Sequence, residues 1–181
     1  MGEPLSFEQL QVGDRWESRA RTITEADVVH FAGLTGDFDP LHVDHEFARQ
    51  SPFGKPIAHG LLGLSMLAGL SSTCPPVRTA AFLCIREWEF IRPVFFGDTV
   101  HAITVVIELH RSGRRHGRVV WQRQLLNQSN EVVQSGLFET LVSAATVAKR
   151  RPDAATTATP TPHLPPVTSQ AEATPQLRAD R

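Results

Sequence analysis

The stretch T-G-D-F-D-P-L-H-V-D, residues 35–44, holds Asp37 and His42 apart by a short segment containing Asp39 and Pro40. A carboxylate and an imidazole are complementary groups for moving a proton near neutral pH. Pro40 fixes its own φ and restricts Asp39 before it, so the spacing between the two groups is stiff. A second candidate follows at Ala58-His59-Gly60, where an apolar segment begins. The start of a helix offers unpaired amide N–H groups and positive potential, which suit a developing oxyanion. Gly60, lacking a side chain, lets a carbonyl come close to the backbone. Taken singly each feature has an ordinary reading, because loop aspartates cap and turn and a lone histidine is more often structural. His59 in particular suits capping or filling space at the helix start better than direct catalysis.

The rest of the chain narrows the chemistry. With no tyrosine among 181 residues, acid and base groups must come from Asp, Glu, His, Lys or Cys. Cys74 and Cys84 form no C-x-x-C pair and no metal-ligand spacing with histidine, so they read as two free thiols. Neither a metal nor a redox cofactor is implied. A formal net charge of −1 gives no electrostatic case for nucleic acid or an anionic membrane. The N-terminus lacks the apolar region of a secretory signal. The apolar run from Ile57 to Leu70 falls short of the roughly 20 residues that span a bilayer. These features point to a soluble, cytoplasmic protein.

The elements that must position these groups can be read from the pattern. Thr22 to Leu34 is expected as a helix, with Thr24 as N-cap and Asp27 three residues on. Gly36 and Pro40 break it, leaving residues 35–44 as a loop, and His45 to Arg49 add a short helical turn. Ile57 to about Ser71 is apolar almost all round, the mark of a helix buried on most sides. Strands are expected at Arg15–Ile23, Ala81–Phe90, Thr99–Leu109, His116–Asn127 and Glu131–Val142. Turn signals at Gly97-Asp98, Ser112-Gly113 and Ser129-Asn130 separate the later ones. In Thr99–Leu109, the residues His101, Ile103, Val105, Ile107 and Leu109 make one mostly apolar face. The class is α+β, an antiparallel sheet wrapped about one central buried helix. Residues 1–148 make this single domain. Residues 149–181, rich in Ala, Thr and Pro, cannot bury enough surface to offset ordering and form a disordered tail.

The runs F-A-G-L-T-G-D-F-D-P-L-H-V-D, P-I-A-H-G-L-L-G-L-S and F-I-R-P-V-F-F-G-D-T-V resemble the MaoC-like dehydratases and (R)-specific enoyl-CoA hydratases, over roughly Phe7 to Val142. The resemblance implies a hotdog fold and a homodimer or dimer-based oligomer. It implies a hydro-lyase acting on acyl-CoA or acyl-carrier-protein thioesters, with no cofactor. It places Asp37 and His42 as the catalytic pair, Gly60 as the oxyanion-binding backbone and Ser65 as a serine facing the site. Asp39 and Pro40 support the loop, and Asp39 stands where the family commonly has Asn. Ser65 is equally a small packing residue on an apolar helix. Arg111, Arg114, Arg115, His116 and Arg118 read as a solvated hairpin end, with contact to coenzyme A phosphates as the alternative. Two rival functions stay open on the same fold: a thioesterase, and a non-catalytic acyl-thioester binding protein.

Overall fold

A computed structural model describes residues 3–145; the expected tail lies outside the described residues. After a turn of 3-10 helix at Phe7–Gln9, two short strands, β1 (Arg15–Glu17) and β2 (Arg21–Thr22), both pair with β4 (Thr99–Ser112). They take the place of the single early strand expected. The remaining strands are β3 (Thr79–Phe90), β5 (His116–Leu126) and β6 (Val132–Ser143), and the antiparallel sheet runs β1-β4-β5-β6-β3. The turns sit where left-handed backbone is available: Gly97 at φ 89°, Gly113 at 69° and Asn130 at 59°.

Four helices lie between β2 and β3. The first, α1 (Glu25–Thr35), opens with a capping box in which the Thr24 hydroxyl accepts from the Asp27 amide while the Asp27 carboxylate accepts from the Thr24 amide. It ends at Gly36 in the left-handed region. Residues 35–44 are not wholly a loop. Pro40–Val43 form a short helix, α2, with Pro40 in its first turn, where the missing N–H would have had no helical partner anyway. Next come α3 (His45–Gln50) and α4 (Gly60–Ser72). The last of these starts three residues later than expected, because Ile57 bridges to Phe95 and the Ala58 amide donates to the Val94 carbonyl.

One stripe of α4, Leu62, Gly63, Leu67 and Ser71, is buried against the sheet, while Leu61 on the opposite side is 58% exposed. The sheet's inner face meets that stripe with Trp121 and Leu125 of β5 and Phe138 and Val142 of β6. In β4 the core is filled by Val100, Ala102 and Val106, the phase opposite to His101, Ile103, Val105 and Ile107. Both phases of this strand are apolar, so alternation alone could not choose between them. A register shift between Val106 and Glu108 then turns Leu109 onto the core face. Among the described residues no helix is long and apolar enough to cross a membrane.

Candidate active site at the start of helix α4

Three elements bring the site together: the link from α1 to α2, the segment before α4, and the first turn of α4. The His42 Nδ1 lies 2.8 Å from the Ile57 carbonyl oxygen. That oxygen can only accept, so Nδ1 carries the proton and Nε2 of the neutral ring keeps its lone pair for a substrate or water. Asp37 sits at the exposed rim, with one carboxylate oxygen 3.3 Å from the Asp39 amide that donates to it. Asp39 caps α2, its side chain accepting from the Leu41 amide at 2.8 Å. Asp39 and Pro40 thus open a capped helical turn.

His59 has a larger part than capping. It is buried, and it is the N-cap residue of α4 without making a side-chain cap. Its Nε2 instead donates to the Asp37 carbonyl at 2.9 Å. The ring stacks on His42 with centroids 3.9 Å apart and touches Phe31 on another side. His59 therefore ties the Asp37 loop to α4 and braces the His42 imidazole. Its Nδ1 is buried without a partner among the described residues. Asp37, His42 and His59 each bring one oxygen or nitrogen within 4.8 Å of the others, a spacing a metal ion can use. An imidazole binds a metal at about 2.1 Å along its in-plane lone pair. The two rings are stacked and inclined by only 31°, whereas lone pairs that share one ion must converge in the planes of both rings.

Gly60 is the first residue of α4, and among the described residues neither its amide nor that of Leu61 donates a hydrogen bond within the chain. A cavity of about 290 Å³ lies beside it, lined by His42, Ile57, Gly60, Phe90, Val94 and Gln134. Phe90 packs so closely on Gly60 that a Cβ there would fall 2.8 Å from the ring. Gln134, fully buried on β6, donates from Nε2 to the Gly60 carbonyl at 3.0 Å and fixes the first turn of the helix. Reading the sequence for loops and motifs missed Gln134. Its signal is a polar residue in the inward phase of a strand, in step with Phe138 and Val142.

Ser65 is not brought into this cavity. Its hydroxyl donates back to the Leu61 carbonyl at 2.8 Å, and the side chain lines a separate groove with Glu17 and Cys74. The arginine-rich hairpin lies at the opposite end of β6 from Gln134. There Arg111 pairs with Glu8, and Arg118 pairs with the buried Glu139, which also accepts from Arg86. Burial works to raise the Glu139 carboxyl, but the Arg86 and Cys84 hydrogen bonds and the two guanidinium charges outweigh it and hold the group below its ordinary value. These cations serve the sheet.

A hot-dog-shaped sheet around one helix, with an aspartate–histidine loop over the helix start, defines a class, and sequence comparison agrees with it. The MaoC like domain matches residues 8–127, and the chain belongs to that family. Its fold is the hotdog. The chain is 38% identical over 111 residues to 3-hydroxybutyryl-CoA dehydratase of Methylorubrum extorquens, covering 61% of this chain and 69% of that one. It is 37% identical over 105 residues to the (R)-specific enoyl-CoA hydratase of Aeromonas caviae, covering 58% and 77%. The crystal structure of the MaoC-like dehydratase from Rhodospirillum rubrum superposes with a TM-score of 0.69 at 31% identity, covering 79% of this chain and 99% of that chain.

Proposed function

We propose that this protein is a hydro-lyase that reversibly hydrates trans-2-enoyl thioesters to (R)-3-hydroxyacyl thioesters, with Asp37 and His42 as its acid/base pair. One observation carries the reading. His42, its Nδ1 proton committed to Ile57, sits in one cluster with the Asp37 carboxylate beside the free Gly60 amide. In hydration, a water held between the Asp37 carboxylate and His42 Nε2 adds its oxygen to the β-carbon. The proton taken from that water is returned at the α-carbon, and the Gly60 N–H binds the thioester oxygen while enolate charge develops there. A donor preorganised for that charge is worth on the order of 3 kcal/mol. Dehydration runs through the same groups in reverse.

All of this chemistry is assigned to residues 1–148, the thioester carrier being coenzyme A or an acyl carrier protein and the setting the cytoplasm. A second copy of the chain is the natural cover for the edge strand β3, where Phe82, Leu83 and Phe90 are exposed, and for Leu61 of α4. Crotonyl-CoA tests the function. Loss of the enoyl absorbance with (R)-3-hydroxybutyryl-CoA as product supports it, and Asp37→Asn or His42→Ala should each slow turnover by about 100-fold or more. Release of free thiol instead identifies a thioesterase; no reaction with retained binding identifies a carrier.

A further inference from the structure

A cation stands on the inner face of the sheet without a counter-charge among the described residues. Arg123 of β5 points inward between Trp121 and Leu125, both fully buried. Its guanidinium lies 4.7 Å from the Phe138 ring centroid and 5.8 Å from that of Trp121. Its Nε is buried and unpartnered, and no ion pair reaches the side chain among the described residues. Burial pulls the group down to about 10. Contact with aromatic faces offsets only part of the cost of removing a charge from water.

Arg123 lines a cavity of about 250 Å³ between the C-terminal half of α4 and the sheet, shared with Ala68, Ser71, Phe82, Trp121 and Thr140. No carboxylate is among its lining residues. The Thr140 hydroxyl already accepts from the Trp121 indole, which leaves its own proton to donate, and Ser71 accepts from Thr104 in the same way. A guanidinium and two hydroxyl donors match a carboxylate, while Trp121 and Phe82 match an alkyl chain leading to it. The cavity is also tied to the active site. Arg123 pairs across the sheet with Gly136, and Gln134, which holds Gly60, lies one step of the same face further along β6, roughly 7 Å away. Along α4, Ala68 is about 12 Å from Gly60.

We propose that this cavity is a carboxylate subsite, with Arg123 as its counter-charge, which takes the distal acid group of a dicarboxylic acyl thioester. The proposal rests on the hydratase reading and narrows its substrate to acyl chains ending in a carboxylate. The test pairs ω-carboxy trans-2-enoyl-CoA esters of increasing length with their methyl-ended counterparts. At the matching length the ω-carboxy ester should have a kcat/KM at least tenfold higher. Arg123→Met should abolish that preference by slowing the ω-carboxy ester, Arg123→Lys should keep part of it, and the Met variant should melt no lower than the parent because a half-buried charge without a counter-charge is gone. Preference for the methyl-ended ester at every length, while crotonyl-CoA is hydrated, overturns the subsite and leaves the hydratase standing. Equal slowing of both esters by Arg123→Met, or dissociation of an oligomer by that variant, also overturns it, the second because the counter-charge then comes from another copy. If no enoyl ester reacts, the functional reading fails, and calorimetry with succinate decides the subsite by itself. One succinate bound per chain, and none by Arg123→Met, supports it; no heat, or the same heat in both, sinks it.

Discussion

Replacing His59 by Phe separates catalysis from stability. The phenyl ring keeps the stack on His42 and the contact with Phe31 but cannot donate to the Asp37 carbonyl. That contact is part-buried, and its loss costs the net value of one hydrogen bond, about 1–1.5 kcal/mol. If the bond holds the loop in its working position, the competent fraction falls by that amount, roughly 10-fold in kcat. KM changes little, because the thioester still meets Gly60. Global stability moves the other way. The buried, unpartnered Nδ1 disappears, and removing such a group recovers about 1–3 kcal/mol. The expected result is a kcat near a tenth of the parent value with a melting temperature equal or higher. Steady-state kinetics on crotonyl-CoA and a thermal melt measure both. Unchanged kcat would mean that the loop stays in place without His59. A kcat loss of about 1000-fold with a changed pH–rate profile would make His59 an acid or base in its own right. A fall in melting temperature that accounts for the lost activity would leave it a packing residue.

Asp39→Asn should retain activity, since an amide oxygen can accept from Leu41 as the carboxylate does; Asp39→Ala should lose about 1 kcal/mol of loop stability, read as a lower kcat. Gly136→Ala should fail to fold or melt far lower, because the new Cβ would collide with the Glu87 carbonyl of the neighbouring strand and force β3 from β6. The Thr24 amide, and then the Thr24 hydroxyl and Arg21, hold the Asp27 carboxyl below its ordinary value. A depressed folded-state value stabilises the fold above the unfolded value near 3.8 and is lost as pH falls through the folded one. Asp27→Asn should therefore destabilise at neutral pH and flatten the acid limb of a stability–pH curve measured by denaturant melts.

The features legible in the sequence are those set by neighbours a few residues away. Thr24 and Asp27 cap α1 because each side chain accepts from the other's amide, three positions away. Gly97, Gly113 and Asn130 mark turns through their own backbone freedom. Asp37, Pro40 and His42 could be read as a unit because the turn that spaces them is local. Pro40 was legible as a stiffener but not as the start of α2, since the same residue breaks a helix interior and opens a first turn. What required the tertiary structure was every decision between distant residues. Gln134 reaches Gly60 across 74 positions, and only the pairing of β6 with its neighbours brings it there. The direction of Ser65, the tie from His59 to the Asp37 carbonyl and the isolation of Arg123 likewise depend on which faces meet. The core phase of β4 was undecidable in the same way. Apolar residues occupy both of its faces, and it is the sheet's register, with a shift after Val106, that selects one to meet α4.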